Sequence, residues 1–174
     1  VKNDRKRPLK AFLQNLRNMG HNVTSAHMSF GHAAEDELPP PQTQHLIGSQ
    51  RLRESICDLS FEVSATTFLQ NNMWQAEQIF RRLEDFAGRP ANSAVAWDLY
   101  SGIGTLSLIL ARSGYRVLGI ESNPSAIIDA RKNSQRNSDI KPPEILEGRV
   151  EDKAFIMPDW ASTPDIIVAN PSQQ

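Results

Sequence analysis

The period of the apolar positions changes near residue 67, and the change separates two kinds of architecture. Residues 8–20 carry Leu9, Phe12, Leu13, Leu16 and Met19 at helical spacing, with Gly20 as a stop. Residues 23–30 alternate as a strand does. The segment 31–44 holds Glu35-Asp36-Glu37 and three consecutive prolines at 39–41. It reads as a loop, because proline donates no amide hydrogen to a helix or central strand. Residues 46–47, 51–56 and 59–63 then predict short antiparallel strands, divided by Gly48-Ser49 and Cys57-Asp58. Residues 1–66 are therefore expected to form a small α+β segment.

From residue 67 onward strands and helices alternate. Residues 72–86 predict a helix with Trp74, Ile79, Phe80 and Leu83 inward, ended by Gly88 and Pro90. A strand at 95–100, a helix at 104–113, a strand at 116–120 and a helix at 125–137 come next. Two further strands are expected at 144–146 and 165–169. This rhythm predicts a parallel sheet with helices on both faces, an α/β doubly wound fold over 67–174.

The turn between the first of these strands and its helix carries the chemistry. Asp98 ends an apolar run, and Tyr100, Gly102, Gly104 and Thr105 lead into the helix. Glycine lets such a turn bend sharply and bring backbone close to a ligand. A nicotinamide site would show Gly-x-Gly-x-x-Gly, but Ser107 stands in the third place. An acidic residue ahead of the glycines fits a ligand with an ammonium group, which S-adenosylmethionine has and NAD lacks. Glu121 ends the next strand, where a carboxylate can accept from both ribose hydroxyls. It could also cap the helix that comes after Asn123-Pro124. The combination points to S-adenosylmethionine as cofactor.

Composition narrows the setting. With a formal net charge of −1, global electrostatics do not select a partner, so any RNA-binding surface must be local. Lys2, Arg5, Lys6, Arg7 and Lys10 form one basic cluster, which reads as a solvated tail or as such a patch. A single cysteine, Cys57, excludes an internal disulfide framework and fits a reducing compartment, with the thiol read as a small buried group. No apolar run is long enough to span a bilayer, and no signal peptide opens the chain. A cytoplasmic location without membrane association is expected. His21, His27, His32 and His45 lack metal-ligand spacing, so no metal site is expected.

Set beside Phe68-x-Gln70-x-Asn72, the Asp98 to Gly104 turn resembles that of the RNA 5-methyluridine methyltransferases acting on tRNA and 23S rRNA. That family pairs Phe-x-Gln-x-Asn with an Asp-Leu-Tyr/Phe-Cys-Gly-x-Gly turn about 25–30 positions later. The resemblance covers roughly residues 45–174. It implies a Rossmann-like class I methyltransferase sheet, here truncated after the fourth strand and preceded by the small α+β segment. It also implies methyl transfer from S-adenosylmethionine to carbon 5 of a uridine in rRNA or tRNA. Gln70, Tyr100, Thr105, Glu121 and Asn170 would line the cofactor site, with Asp98, Gly102 and Gly104.

The departures bear on mechanism. Ser101 replaces the family's common cysteine. The fourth strand ends Asn170-Pro171-Ser172-Gln173 where the family has Asp-Pro-Pro-Arg or Asn-Pro-Pro-Arg, and Arg149 stands after the third strand where relatives often have a polar contact. In the family a cysteine thiolate adds to carbon 6 of the base and a glutamate removes the carbon 5 proton. Both residues are implied to lie beyond Gln174, so no catalytic residue is assigned here. Cys57 lies upstream of the cofactor motif and does not match the nucleophile. The opening Val and the ending after the fourth strand suggest a fragment, inactive alone and prone to self-association through an exposed edge strand at 165–169. Two other readings stay open: a methyltransferase with an amino-group acceptor, and a non-catalytic cofactor-fold module that binds RNA.

Overall fold

The computed structural model describes residues 6–30, 42–153 and 157–171. They pack as two compact units. The first takes in the described part of Val1–Leu52 together with Ser64–Thr66; the second takes in Arg53–Val63 and the described part of Thr67–Gln174.

In the first unit, helix α1 (Lys6–Asn18) precedes two antiparallel strands, β1 (Ser25–Phe30) and β2 (Gln42–Gly48). Of the apolar stripe read over 8–20, Leu13 and Leu16 of α1 are half-buried, whereas Leu9, Phe12 and Met19, the last beyond the helix end, are exposed. Residues 42–44, read as the end of a loop, are strand, because Gln42, Thr43 and Gln44 pair with Phe30, Ser29 and Met28. The rest of that expected loop, 31–41, lies outside the described residues. Gly48 closes the ladder at φ +80, and a Cβ there would lie 2.1 Å from the Thr24 carbonyl oxygen.

A hairpin of β3 (Arg51–Ile56) and β4 (Leu59–Ser64) contributes its Arg53–Val63 part to the second unit. Its two-residue turn, Cys57 and Asp58, has φ values of +50 and +65, the left-handed pair that a tight hairpin of this twist requires. Glu77 accepts the Cys57 amide at 2.7 Å, and Arg112 donates to the Cys57 carbonyl at 2.5 Å. Cys57 itself is buried, and burial pushes its thiol pKa up. A cut at 66/67 matches the sequence rhythm, whereas packing joins most of this hairpin to the α/β layers. Ile56, Leu59, Phe61 and Val63 all belong to the second unit's core.

Helix α2 (Met73–Ala87) buries Ala76 and Phe80, with Met73, Leu83 and Ala87 beside them. That 3-4-3-4 spacing sets the inward face. Trp74 and Ile79, expected inward, are 71% and 62% exposed, because the smaller Ala76 occupies the contact line instead. The remaining elements are β5 (Val95–Leu99), α3 (Thr105–Arg112), β6 (Arg116–Glu121), α4 (Pro124–Arg136), β7 (Glu144–Glu147), α5 (Val150–Lys153), a 3-10 turn (Asp159–Ala161) and β8 (Ile166–Ala169). All four of these strands are parallel, in the order β7-β6-β5-β8. The strand order reverses at β5, which has β6 on one side and β8 on the other. Right-handed crossovers put α3 and α4 on one face. The alternate face carries Trp97, whose indole donates to the Ala161 carbonyl at 2.9 Å.

Candidate functional site

The carboxyl ends of β5, β6 and β8 meet at the glycine turn. In an open α/β sheet the crevice outside these ends, beside the strand where the order reverses, is where ligands bind. Leu99 pairs with Ile120 on one side and with Ala169 on the other. Tyr100, Glu121 and Asn170 are therefore neighbours at the same level of the sheet, and the Asn170 amide donates to the Leu99 carbonyl at 3.4 Å.

The turn is built from left-handed residues. Tyr100, Gly102 and Gly104 have φ values of +64, +56 and +82. For a tyrosine that conformation is costly, and such strain concentrates at functional sites. The Ser101 amide donates to the Ile120 carbonyl at 2.9 Å, and the Gly104 amide to the Ser101 carbonyl at 2.9 Å. The two glycines do different work. A Cβ on Gly102 would meet nothing within 4 Å, so its backbone faces open space. A Cβ on Gly104 would lie 3.2 Å from the Ala130 Cβ of α4, so Gly104 lets two helices approach.

Glu121 ties this turn to the neighbouring strand. One carboxylate oxygen, Oε2, accepts from the Gly102 amide at 2.8 Å. The other accepts from the Ser122 and Asn123 amides at 2.8 and 2.7 Å. The cap of α4 is Asn123 instead, whose side chain accepts the Ser125 amide at 2.9 Å, so Glu121 braces the two turns and does not cap the helix. A carboxylate has about four acceptor positions, so capacity for a further donor is left on Oε2.

Asp98 lies beneath the turn rather than on its surface. It is 1% exposed, and its carboxylate accepts the Ser107 hydroxyl proton of α3 at 2.6 Å. Burial raises its pKa to about 7, against the lowering influence of Ser107. Asp98 therefore orders the turn through α3 and does not face the solvent side. In sequence Ser107 is visible only as the residue replacing a third glycine; its small polar side chain is the group that reaches Asp98.

The remaining residues frame the turn. Tyr100 donates its phenol proton to Glu151 of α5 at 3.1 Å. Thr105 opens α3 next to its Gly104 cap. Asn72 caps α2 by accepting the Gln75 amide at 3.1 Å. Thr67 donates to the buried Asp129 of α4 at 2.8 Å, which anchors the segment carrying Gln70. Gln70 is half-buried, and no hydrogen bond joins it to the turn among the described residues. Ser172 and Gln173 lie outside the described residues. A separate cleft of about 120 Å³ lies at the amino ends of β6 and β7, where Arg116 stacks on Trp160 at 3.7 Å. It is small for a nucleoside cofactor.

Comparison with solved structures gives the arrangement its class. The chain resembles the SAM-dependent methyltransferase from Agrobacterium tumefaciens with a TM-score of 0.61 and 15% identity, over 88% of this chain and 48% of that one. It resembles the Pyrococcus abyssi tRNA (uracil-54, C5)-methyltransferase, in complex with S-adenosyl-L-homocysteine, with a TM-score of 0.58 and 24% identity. That match covers 75% of this chain and 32% of the other. The fold is that of a class I S-adenosylmethionine-dependent methyltransferase. The expected fold class holds.

Sequence relatives of this methyltransferase fold agree with it. An uncharacterized RNA methyltransferase of Enterococcus faecalis is 33% identical over 133 residues, 76% of this chain and 29% of that protein. Another, of Parasynechococcus marenigrum, is 34% identical over 132 residues, 76% of this chain and 28% of that protein. The chain thus spans less than a third of the length of these relatives. No protein-family model matches it. Among the described residues no helix is long and apolar enough to cross a membrane, and no group of three or more His, Cys, Asp or Glu is placed to hold a metal.

Proposed function

We propose that this chain carries the S-adenosylmethionine site of an RNA methyltransferase whose acceptor is carbon 5 of a uridine. The observation that carries the cofactor assignment is the Glu121–Gly102 bond beside open space. It fixes a bare stretch of backbone next to a carboxylate at the carboxyl ends of the strands. The bound cofactor supplies a methyl group made electrophilic by a sulfonium. Gly102 lets it approach the backbone, and the free capacity on Glu121 Oε2 accepts from the ribose. Tyr100 and Thr105 flank the turn, Asn170 stands at the end of β8, and Gln70 offers both donor and acceptor to the methionine end. Asp98 is a positioning residue, acting through Ser107.

The RNA acceptor draws on the relatives, which carry the name RNA methyltransferase. The uracil carbon 5 position draws on the pairing of Phe68-x-Gln70-x-Asn72 with the turn, and on the similar Pyrococcus abyssi fold. A second reading, with an amino group as acceptor, draws on Asn170-Pro171 at the end of β8. Thermal denaturation tests the cofactor: a ligand that binds only the folded state raises the melting temperature. S-adenosylhomocysteine should do so, and an unchanged melt at saturating ligand would overturn the site. The acceptor is tested in a protein of the relatives' length that carries this segment. Digested RNA should yield 5-methyluridine; a methyl group on an exocyclic nitrogen would favour the second reading and leave the cofactor site standing.

A further inference from the structure

Tyr100 stands where the backbone favours glycine. Its φ of +64 lies in the left-handed region, where a Cβ is costly and glycine is not. Gly102 and Gly104 meet the same demand in the rest of the turn. Burial does not offset the cost at Tyr100, because the side chain is 38% exposed. Strain of this kind, unsupported by packing, points to a use for the side chain itself.

The phenol fixes where the ring goes. It donates to Oε1 of Glu151 at 3.1 Å. In the order β7-β6-β5-β8, Glu151 comes after β7, and α5, which carries it, packs against β6. The ring therefore leans from the end of β5 toward the Glu121 side of the crevice and away from Asn170 at the end of β8. Glu151 is itself held, with its other oxygen 3.5 Å from Arg149 Nε. Its own backbone amide, and then the Tyr100 phenol, hold its carboxyl below the usual range, while the bond to Glu151 pushes the phenol pKa up. At neutral pH the pair is thus a phenol donor and a carboxylate acceptor. Arg149, Glu151 and Tyr100 are all exposed, and exposed pairs add little to stability. The main consequence of the chain of contacts is the orientation of the ring.

We infer that Glu151 is a positioning residue, which holds the Tyr100 ring as a wall of the cofactor crevice on its ribose side. This role rests on the reading of the crevice as an S-adenosylmethionine site, and it gives α5 a part in that site. Glu151 acts through Tyr100 and makes no contact of its own with the cofactor. A ring fixed before the ligand arrives loses less freedom on binding.

A double-mutant cycle read by calorimetric titration of S-adenosylhomocysteine tests this. Glu151→Ala should weaken binding about fivefold, the usual contribution of one such hydrogen bond. Tyr100→Phe keeps the ring, loses the phenol and should weaken binding by the same factor. The double variant should bind no more weakly than either single one. Glu151→Gln keeps an acceptor for the phenol and should stay within about twofold of wild type. Melting temperatures without ligand should be alike across the set. Unchanged or tighter binding by Glu151→Ala, losses that multiply in the double variant, or a loss in Glu151→Gln equal to that in Glu151→Ala would each overturn the inference. So would an affinity loss that tracks a lowered melting temperature. If wild type binds and Glu121→Ala weakens binding while Glu151→Ala does not, this positioning role alone falls. If the folded wild type does not bind, the cofactor reading falls with it.

Discussion

Glu121 accepts the Gly102 amide at 2.8 Å across 19 positions of sequence, and this bond joins the end of β6 to the turn after β5. Three amides converge on the one carboxylate. Replacing Glu121 by Ala leaves all three without this acceptor. The expected loss is on the order of 1–2 kcal/mol in chemical denaturation. Glu121→Gln retains one acceptor oxygen and should lose less.

The two glycines of the turn should respond differently to alanine. Gly102→Ala has space for its methyl group but must hold φ +56, which costs about 1 kcal/mol. Gly104→Ala adds a 3.2 Å approach to Ala130 at φ +82, and should cost about 2–3 kcal/mol. Cofactor affinity should show the opposite order, with Gly102→Ala the more harmful because its new methyl group fills the open side. Denaturation paired with a binding titration of each variant checks both orders.

Asp98 gives the protein a pH dependence of defined sign. Its folded pKa is raised to about 7 by burial, above the ordinary carboxylate value of 3.8. The folded state therefore holds a proton that the unfolded state has released between about pH 4 and 7. This contribution is fully present below about pH 4 and lost as the pH rises through about 7, on the order of 4 kcal/mol at most. Asp98→Asn keeps an acceptor for Ser107 and does not titrate. Its stability relative to wild type should rise from about pH 5 to about pH 8. A constant difference across that range would contradict the buried, proton-holding carboxyl.

The turn is legible in sequence because its signals are local: glycine spacing, a preceding apolar strand and a succeeding helix lie within a dozen positions. The role of Asp98 is not legible, since its burial and its bond to Ser107 depend on how α3 packs back on β5. The same limit explains Trp74 and Ile79. Large apolar side chains suggest an inward face, yet the line of closest helix approach is set by Ala76 and Phe80. Residues 42–44 carry no strand pattern of their own; β1 makes them strand. Glu151 gives no signal for its bond to Tyr100, 51 positions away.

Two asparagines of α4 and its cap also escape sequence reading, and they fasten the hairpin. Asn133 accepts the Glu62 amide at 2.8 Å and donates to the Ile103 carbonyl at 3.2 Å. Asn137 accepts the Ser60 amide at 3.0 Å and donates to the Ser60 carbonyl at 2.9 Å. Spaced one helical turn apart, they take the place of a neighbouring strand along β4. Each Asn→Ala change should cost about 1–2 kcal/mol by leaving part-buried backbone groups of β4 without these partners. The double variant should lose less than the sum, since both act on one strand.

Strand β8 pairs with β5 on one side, and among the described residues no strand pairs with its other side. Ile167 there is 55% exposed. Open apolar edges template association, so sedimentation should show concentration-dependent self-association of this 174-residue chain. Ile167→Lys should reduce it. Monomeric behaviour at high concentration by the wild type would contradict the expectation.

The most direct test of the cofactor site is calorimetric titration of S-adenosylhomocysteine into the wild-type chain, Glu121→Ala and the distant exposed variant Arg89→Gln. Wild type and Arg89→Gln should bind one ligand per chain with equal affinity, and Glu121→Ala at least about tenfold more weakly, about 1.4 kcal/mol. Absence of binding by the folded wild type, or equal affinity in Glu121→Ala, would contradict the cofactor assignment.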